Sequence, residues 1–180
     1  LSDGTRDSVA KKDTPIGEIP EHWDVRQVGD LTNVTVGYVQ NIDGHFSNSD
    51  NGIRLYRTKD ISSRGLQVED ESYVTREFHA DNKGSQLTAG DLIVARHGNS
   101  GQAAVIPKST PEAHCQNVVI VRSSDEFVSK FLEYLFNYEV TRQRLLAWKA
   151  GSVQKIVSTT AVQNFKIPLP PIEEQNEIVE

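Results

Sequence analysis

Apolar residues recur in this chain as short clusters separated by turn-forming residues, from about residue 33 to residue 122. The runs 33–39, 52–58, 91–96, 102–106 and 117–122 are rich in Val, Ile, Leu or Tyr, which predicts strands. Val118-Val-Ile-Val121 has no polar alternation, the pattern of a strand buried on both faces. His97-Gly-Asn-Ser-Gly101, between two of these runs, reads as a hairpin loop. The period then changes. Val128, Phe131, Leu132, Leu135 and Phe136 fall at i, i+3, i+4, i+7 and i+8, one stripe of an amphipathic helix, with Lys130, Glu133, Arg142 and Lys149 opposite. Leu146 continues the stripe and Gly151 is a suitable stop, so one long helix is expected over 126–149.

The tail reads as a polar loop, a short helix N-capped by Ser158, an apolar strand and a stop at Pro168, Pro170 and Pro171. A new helix opens at residue 172. Ile172 and Val179, seven apart, could share a coiled-coil seam, with Glu173, Glu174 and Glu177 suited to its N-terminal turns. Residues 1–14 are polar and aperiodic, the pattern of a flexible leader or linker. The expected fold is α+β: a twisted, mainly antiparallel or mixed sheet, one long covering helix, a short helix, and a functional face made of loops.

Composition narrows the classes. The 180 residues suit one domain with a proper core, and 37% apolar with 24% charged residues is ordinary for a soluble globule. A single cysteine, Cys115, excludes an internal disulfide framework and fits a reducing cytoplasm. No apolar run approaches the roughly 20 residues of a membrane span. The absence of Met, even at position 1, gives the expectation of a piece of a longer chain.

Net charge is −6, which by itself argues against a polyanionic partner, but Glu173, Glu174, Glu177 and Glu180 concentrate four negative charges at the end. Basic residues group at Arg54, Arg57, Lys59 and Arg64, and again at Arg142, Arg144, Lys149 and Lys155. The five histidines and Cys115 lack metal-ligand spacing, and His114 and Cys115 would face opposite sides of a strand. Neither a phosphate-binding Gly-rich loop nor an Asn/Asp-Pro-Pro-Tyr/Phe methyltransferase segment is present. Ser100 resembles the nucleophile of a Gly-x-Ser-x-Gly elbow, but Gln102 stands where the second Gly belongs and a strand follows instead of a helix.

What remains is binding chemistry. Gly151, Ser152, Gln154 and Lys155 combine backbone freedom, amide hydrogen bonding and a positive charge, suited to a phosphate backbone. Arg54, Arg57 and Lys59 lie on one strand, Arg54 with Tyr56 on one face and Arg57 with Lys59 on the other. Arg96, His97 and Asn99 sit at the hairpin loop. Arginine suits guanine O6 and N7, and Asn or Gln suits adenine N6 and N7, a role open to Gln40, Asn41 and Asn48.

The tail Gly151-Ser-Val-Gln-Lys155, followed by Ile167-Pro-Leu-Pro-Pro-Ile-Glu-Glu-Gln175, closely resembles the end of a target-recognition domain in type I restriction–modification specificity subunits. Gly17-Glu-Ile-Pro-Glu-His-Trp-Asp-Val25 is similar to the family's entry segment. Ile53–Ile61 and Leu87–Gly101 also resemble family blocks, so coverage runs from about Pro15 to the C-terminus.

The resemblance implies a recognition domain over 15–171 and the start of a coiled-coil helix over 172–180. It implies a non-catalytic, cytoplasmic reader of one half of a bipartite double-stranded DNA target. The implied partners are methyltransferase and restriction subunits, with a second recognition domain in the same subunit or a second copy. S-adenosylmethionine, ATP and Mg²⁺ would belong to those partners, leaving no cofactor or metal here. A protein-interaction module and a small Ser hydrolase are the alternatives. Salt-sensitive duplex binding separates the reader from the interaction module.

Overall fold

The computed structural model describes residues 9–147 and 156–180. Strands β1 (Lys11–Thr14) and β2 (Gly17–Pro20) form a hairpin, and β3 (Asp24–Gln27) leads into helix α1 (Val28–Leu31). β4 (Val34–Val36), β5 (Phe46–Ser47) and β6 (Ile53–Arg57) follow, then a 3₁₀ turn at Thr58–Asp60. A small hairpin of β7 (Ile61–Ser62) and β8 (Gly65–Leu66) precedes β9 (Ser72–Val74), helix α2 (Arg76–Asp81) and β10 (Gln86–Leu87). The next strands are β11 (Leu92–Ala95), β12 (Ala103–Val105), β13 (Ala113–Gln116) and β14 (Val118–Val121). Helices α3 (Ser129–Asn137), α4 (Glu139–Ala147) and α5 (Thr159–Gln163), strand β15 (Lys166–Leu169) and helix α6 (Ile172–Val179) complete the described chain.

Two sheets face each other. One has the order β10-β13-β6-β9-β5 and is mixed, since β13 runs parallel to β6; the other, β12-β11-β14-β4, is antiparallel. The expected α+β class with a mixed sheet is therefore the observed one. Tyr56, Leu87 and Cys115 from the first sheet meet Ile93, Ala104, Val118 and Ile120 from the second in a shared core. On its other face the four-stranded sheet buries Leu92, Val94, Val119 and Val121 against Phe131, Leu132 and Phe136 of α3. Val118–Val121 is fully buried on both faces, as its unbroken apolar run requires. A third cluster, Ile42, Ile53, Leu55, Val74 and Phe78, covers the far side of the five-stranded sheet.

The helix expected over 126–149 is two helices, divided at Tyr138, whose backbone is extended (φ −66°, ψ 125°). Asn137 explains the break. Its amide donates to the Ala103 carbonyl at 2.8 Å and accepts from the Ala103 N–H at 2.9 Å, pairing with edge strand β12 as another strand would. One turn earlier, the buried Glu133 accepts from the Val105 N–H at 2.7 Å. Together the two side chains cover alternate donors of an otherwise open sheet edge. Asn137→Ala is expected to cost about 1–2 kcal/mol in urea denaturation, because edge groups that lose the amide regain only water.

A second difference lies at the start of the chain. Lys11–Thr14, expected in a flexible leader, form β1, with the turn closed by Gly17 at φ +109° and a Thr14 Oγ1 bond to the Gly17 carbonyl. Ile19 is the one buried residue of these two strands, so no hydrophobic alternation announces them. The tail follows expectation: Ser158 accepts from the Ala161 N–H as N-cap of α5, and β15, with its proline, lies in a two-stranded ribbon with β3. In α6, Val179 leans on the domain's own core, while Ile178 is exposed. Among the described residues no helix is long and apolar enough to cross a membrane.

Candidate nucleic-acid interface

Strand β6 ends at Arg57, and the 3₁₀ turn behind it is held by the buried Asp60, which accepts from the Arg57 N–H at 2.8 Å. Burial pushes the Asp60 carboxyl above its ordinary range, against the pull of that hydrogen bond and of the nearby Lys59 and Arg57 charges. Beside this turn, Asn117 carries the chain from the five-stranded sheet into the four-stranded one. Thr58 Oγ1 donates to the Asn117 carbonyl at 2.9 Å and locks the two together.

The β11–β12 hairpin supplies the third wall. Its loop, His97–Gly101, uses positive φ at Gly98 and Gly101, and Ser100 Oγ donates to the Arg96 carbonyl at 3.2 Å. Arg57, Thr58, Lys59, His97, Gln116 and Asn117 thus enclose a hollow of about 240 Å³. A larger concavity of about 620 Å³ adjoins it, and His97, Ser100, Arg142, Gln143, Leu146 and Ile156 line that one. His97 borders both.

The sequence-predicted residues divide accordingly. Arg57, Lys59 and His97 converge on the small hollow. Arg57 Nη2 donates to Ser72 Oγ at 2.7 Å, while its buried Nε has no hydrogen-bond partner. Lys59 reaches only the Asp70 carbonyl, at 3.4 Å, and stays exposed. Arg96 and Asn99 brace the loops: Arg96 clasps Val157 through its carbonyl and Nε, and Asn99 Nδ2 donates to the Ile61 carbonyl at 2.8 Å.

Arg54 lies apart. It pairs with Glu71 between the rings of Tyr73 and Tyr56 and lines a separate concavity with Arg76 and Glu112. The bond from Arg54 holds the Glu71 carboxyl below its usual range. Ser152, Gln154 and Lys155 lie outside the described residues. Of the three amides open to base reading, Asn41 and Asn48 accept bonds within local turns, while Gln40 is held through its backbone carbonyl, which accepts from Gln116 Nε2.

Gln116, Asn117, Arg142 and Gln143 also line these hollows, and reading the sequence missed them as site residues. One signal was available: Gln116-Asn117 stands between Cys115 and the apolar run Val118–Val121. Among the described residues, no group of three His, Cys, Asp or Glu side chains could hold a metal ion.

The entry and exit of the domain meet on another side. Glu174 accepts from Trp23 Nε1 at 2.9 Å and contacts His22 Nε2 at 2.6 Å, bonds that hold its carboxyl below the usual range, with Trp23 the larger influence. Gln175, fully buried, accepts from the Val128 N–H and donates to the Pro170 carbonyl, both at 2.8 Å. The two segments that carried the family resemblance are therefore in contact, although about 150 residues separate them.

The chain is 30% identical over 177 residues to the protein named as the MjaX type I restriction enzyme specificity subunit of Methanocaldococcus jannaschii, covering 93% of this chain and 40% of that one. It is 24% identical to the EcoBI specificity subunit of Escherichia coli, over 89% of this chain and 34% of the relative. The chain spans about 40% or less of the length of these relatives. The crystal structure of the HsdS subunit from Thermoanaerobacter tengcongensis superposes with a TM-score of 0.67 at 18% identity, over 92% of this chain and 38% of that one, which establishes the likeness of fold. The model of the family described as the type I restriction modification DNA specificity domain matches residues 20–180, and the chain belongs to that family.

Proposed function

We propose that this domain reads one half of a bipartite double-stranded DNA target for a type I restriction–modification complex and carries out no chemistry itself. The observation that carries the reading is the convergence of Arg57 and Lys59, from the end of β6 and its 3₁₀ turn, with His97, from the β11–β12 loop, onto one polar hollow, in a chain of this family. Cationic donors at a rim suit phosphate contact and positioning, while amides between them suit base edges. Methyltransferase and restriction subunits in the cytoplasm are the proposed protein partners, with S-adenosylmethionine, ATP and Mg²⁺ bound by them. A second recognition domain, in the same subunit or a second copy, would read the other half-site and supply the effective-concentration gain of a linked reader.

Duplex binding measured against salt tests the proposal. Affinity should fall with rising salt, and Lys59→Ala should weaken cognate and random duplexes alike and lower the salt slope by about 1. Salt-independent or absent duplex binding by the intact subunit would refute it.

A further inference from the structure

We infer that Asn117 reads an adenine in the DNA target, an assignment that rests on the proposed function and adds to it a specific base reader. Asn117 is the sole non-glycine residue with positive φ (58°) among the described residues. Glycine adopts this conformation with less strain, so the side chain is what asparagine adds to the position.

The backbone beneath that side chain is pinned. Its N–H donates to the Tyr38 carbonyl at 2.9 Å and its carbonyl accepts from Thr58 Oγ1 at 2.9 Å. Cys115 and Val118 on either side are fully buried in the core between the sheets. A side chain rooted in such a crossing is held more firmly than one on a loop tip, as discrimination between bases requires.

Neighbouring amides are engaged by the protein. Gln116 Nε2 donates to the Gln40 carbonyl and Asn99 Nδ2 to the Ile61 carbonyl. The Asn117 side-chain amide makes no hydrogen bond among the described residues, and it is half-exposed at the hollow lined by Arg57, Lys59 and His97. An amide offers one donor face and one acceptor face. Adenine presents the complementary pair in the major groove, N7 as acceptor and N6–H as donor, whereas guanine presents two acceptors that suit Arg. Arg57 and Lys59 beside Asn117 would bring phosphates to the rim and leave the amide to meet the base edge.

The test uses the full-length specificity subunit carrying this domain, assembled with its methyltransferase subunits, and selects from duplexes with a randomised interior. Asn117→Gly suits the left-handed backbone and removes only the amide; Asn117→Asp keeps the side-chain shape and replaces the donor. Both should lose the preference at one A·T pair by roughly 10- to 100-fold with the rest of the selected sequence retained; Asn117→Gly should also keep the affinity for random duplexes, whereas the added carboxylate of Asn117→Asp weakens every duplex by phosphate repulsion. An unchanged selected sequence, a loss at a G·C pair, or a merely uniform weakening of all duplexes by the uncharged Asn117→Gly variant would overturn the assignment while leaving the domain a DNA reader. If the wild-type assembly selects no sequence at all, the proposed function falls, and the assignment with it.

Discussion

Gln175→Ala is expected to lower the stability of this domain by about 2–4 kcal/mol, because two buried backbone groups lose their partners at once. The Gln175 amide is fully buried and bridges the Val128 N–H, at the start of α3, to the Pro170 carbonyl. Truncation leaves both groups shielded from water and removes the bond that tethers the first turn of α3 to α6. Glu174→Ala, one residue away, should cost much less, since its contacts to His22 and Trp23 are partly solvated. Urea denaturation of the two variants, with unchanged m-values, measures the contrast. Equal losses at 174 and 175 would mean that the exit helix is held by its surface ion pair and not by the buried amide.

Acid should destabilise the protein through a buried pair of histidines. His114 and His79 meet through Nδ1 atoms 3.2 Å apart, beneath Phe78 and beside Glu112. Burial, and then the neighbouring His79, lowers the His114 pKa from 6.5 to about 4, and its buried Nε2 has no hydrogen-bond partner. His79 is lowered as well, chiefly by burial, with Glu112 opposing and Arg76 assisting. The unfolded chain therefore binds more protons than the folded one between about pH 4 and pH 6.5. The resulting stability is complete above pH 6.5 and declines as pH falls towards 4, by up to about 3 kcal/mol. His114→Phe should flatten that limb of the stability–pH curve. A variant with an unchanged slope would move the acid sensitivity elsewhere.

Several features of the molecule are legible in local pattern. The unbroken Val118–Val121 run, the His97–Gly101 hairpin and the Ser158 cap all take the forms their residues predict. So does the stripe through Phe136, and its end was also visible: Glu139 and Gln143 occupy positions where the stripe should continue beyond Phe136. The break at Tyr138 follows from that lapse together with the pairing of Asn137 to β12, a partner 34 residues away that no local period reveals.

Sequence alone also determined the α+β class and the family, because the Gly17–Val25 and Ile167–Gln175 segments are short contiguous motifs whose residue order is informative without a fold. The composition of the candidate interface was decided by tertiary structure. Arg57, His97 and Asn117 lie far apart in the chain and meet because β13 pairs in parallel with β6 and the chain then crosses between sheets at Asn117. Strand alternation separates Arg54 from Arg57, but only the packed sheets assign Arg54 to Glu71 and Tyr73 and leave Lys59 exposed. Periodicity records which face of an element is buried. Which polar side chains a buried face leaves without partners depends on long-range register, and that exists only in the folded chain.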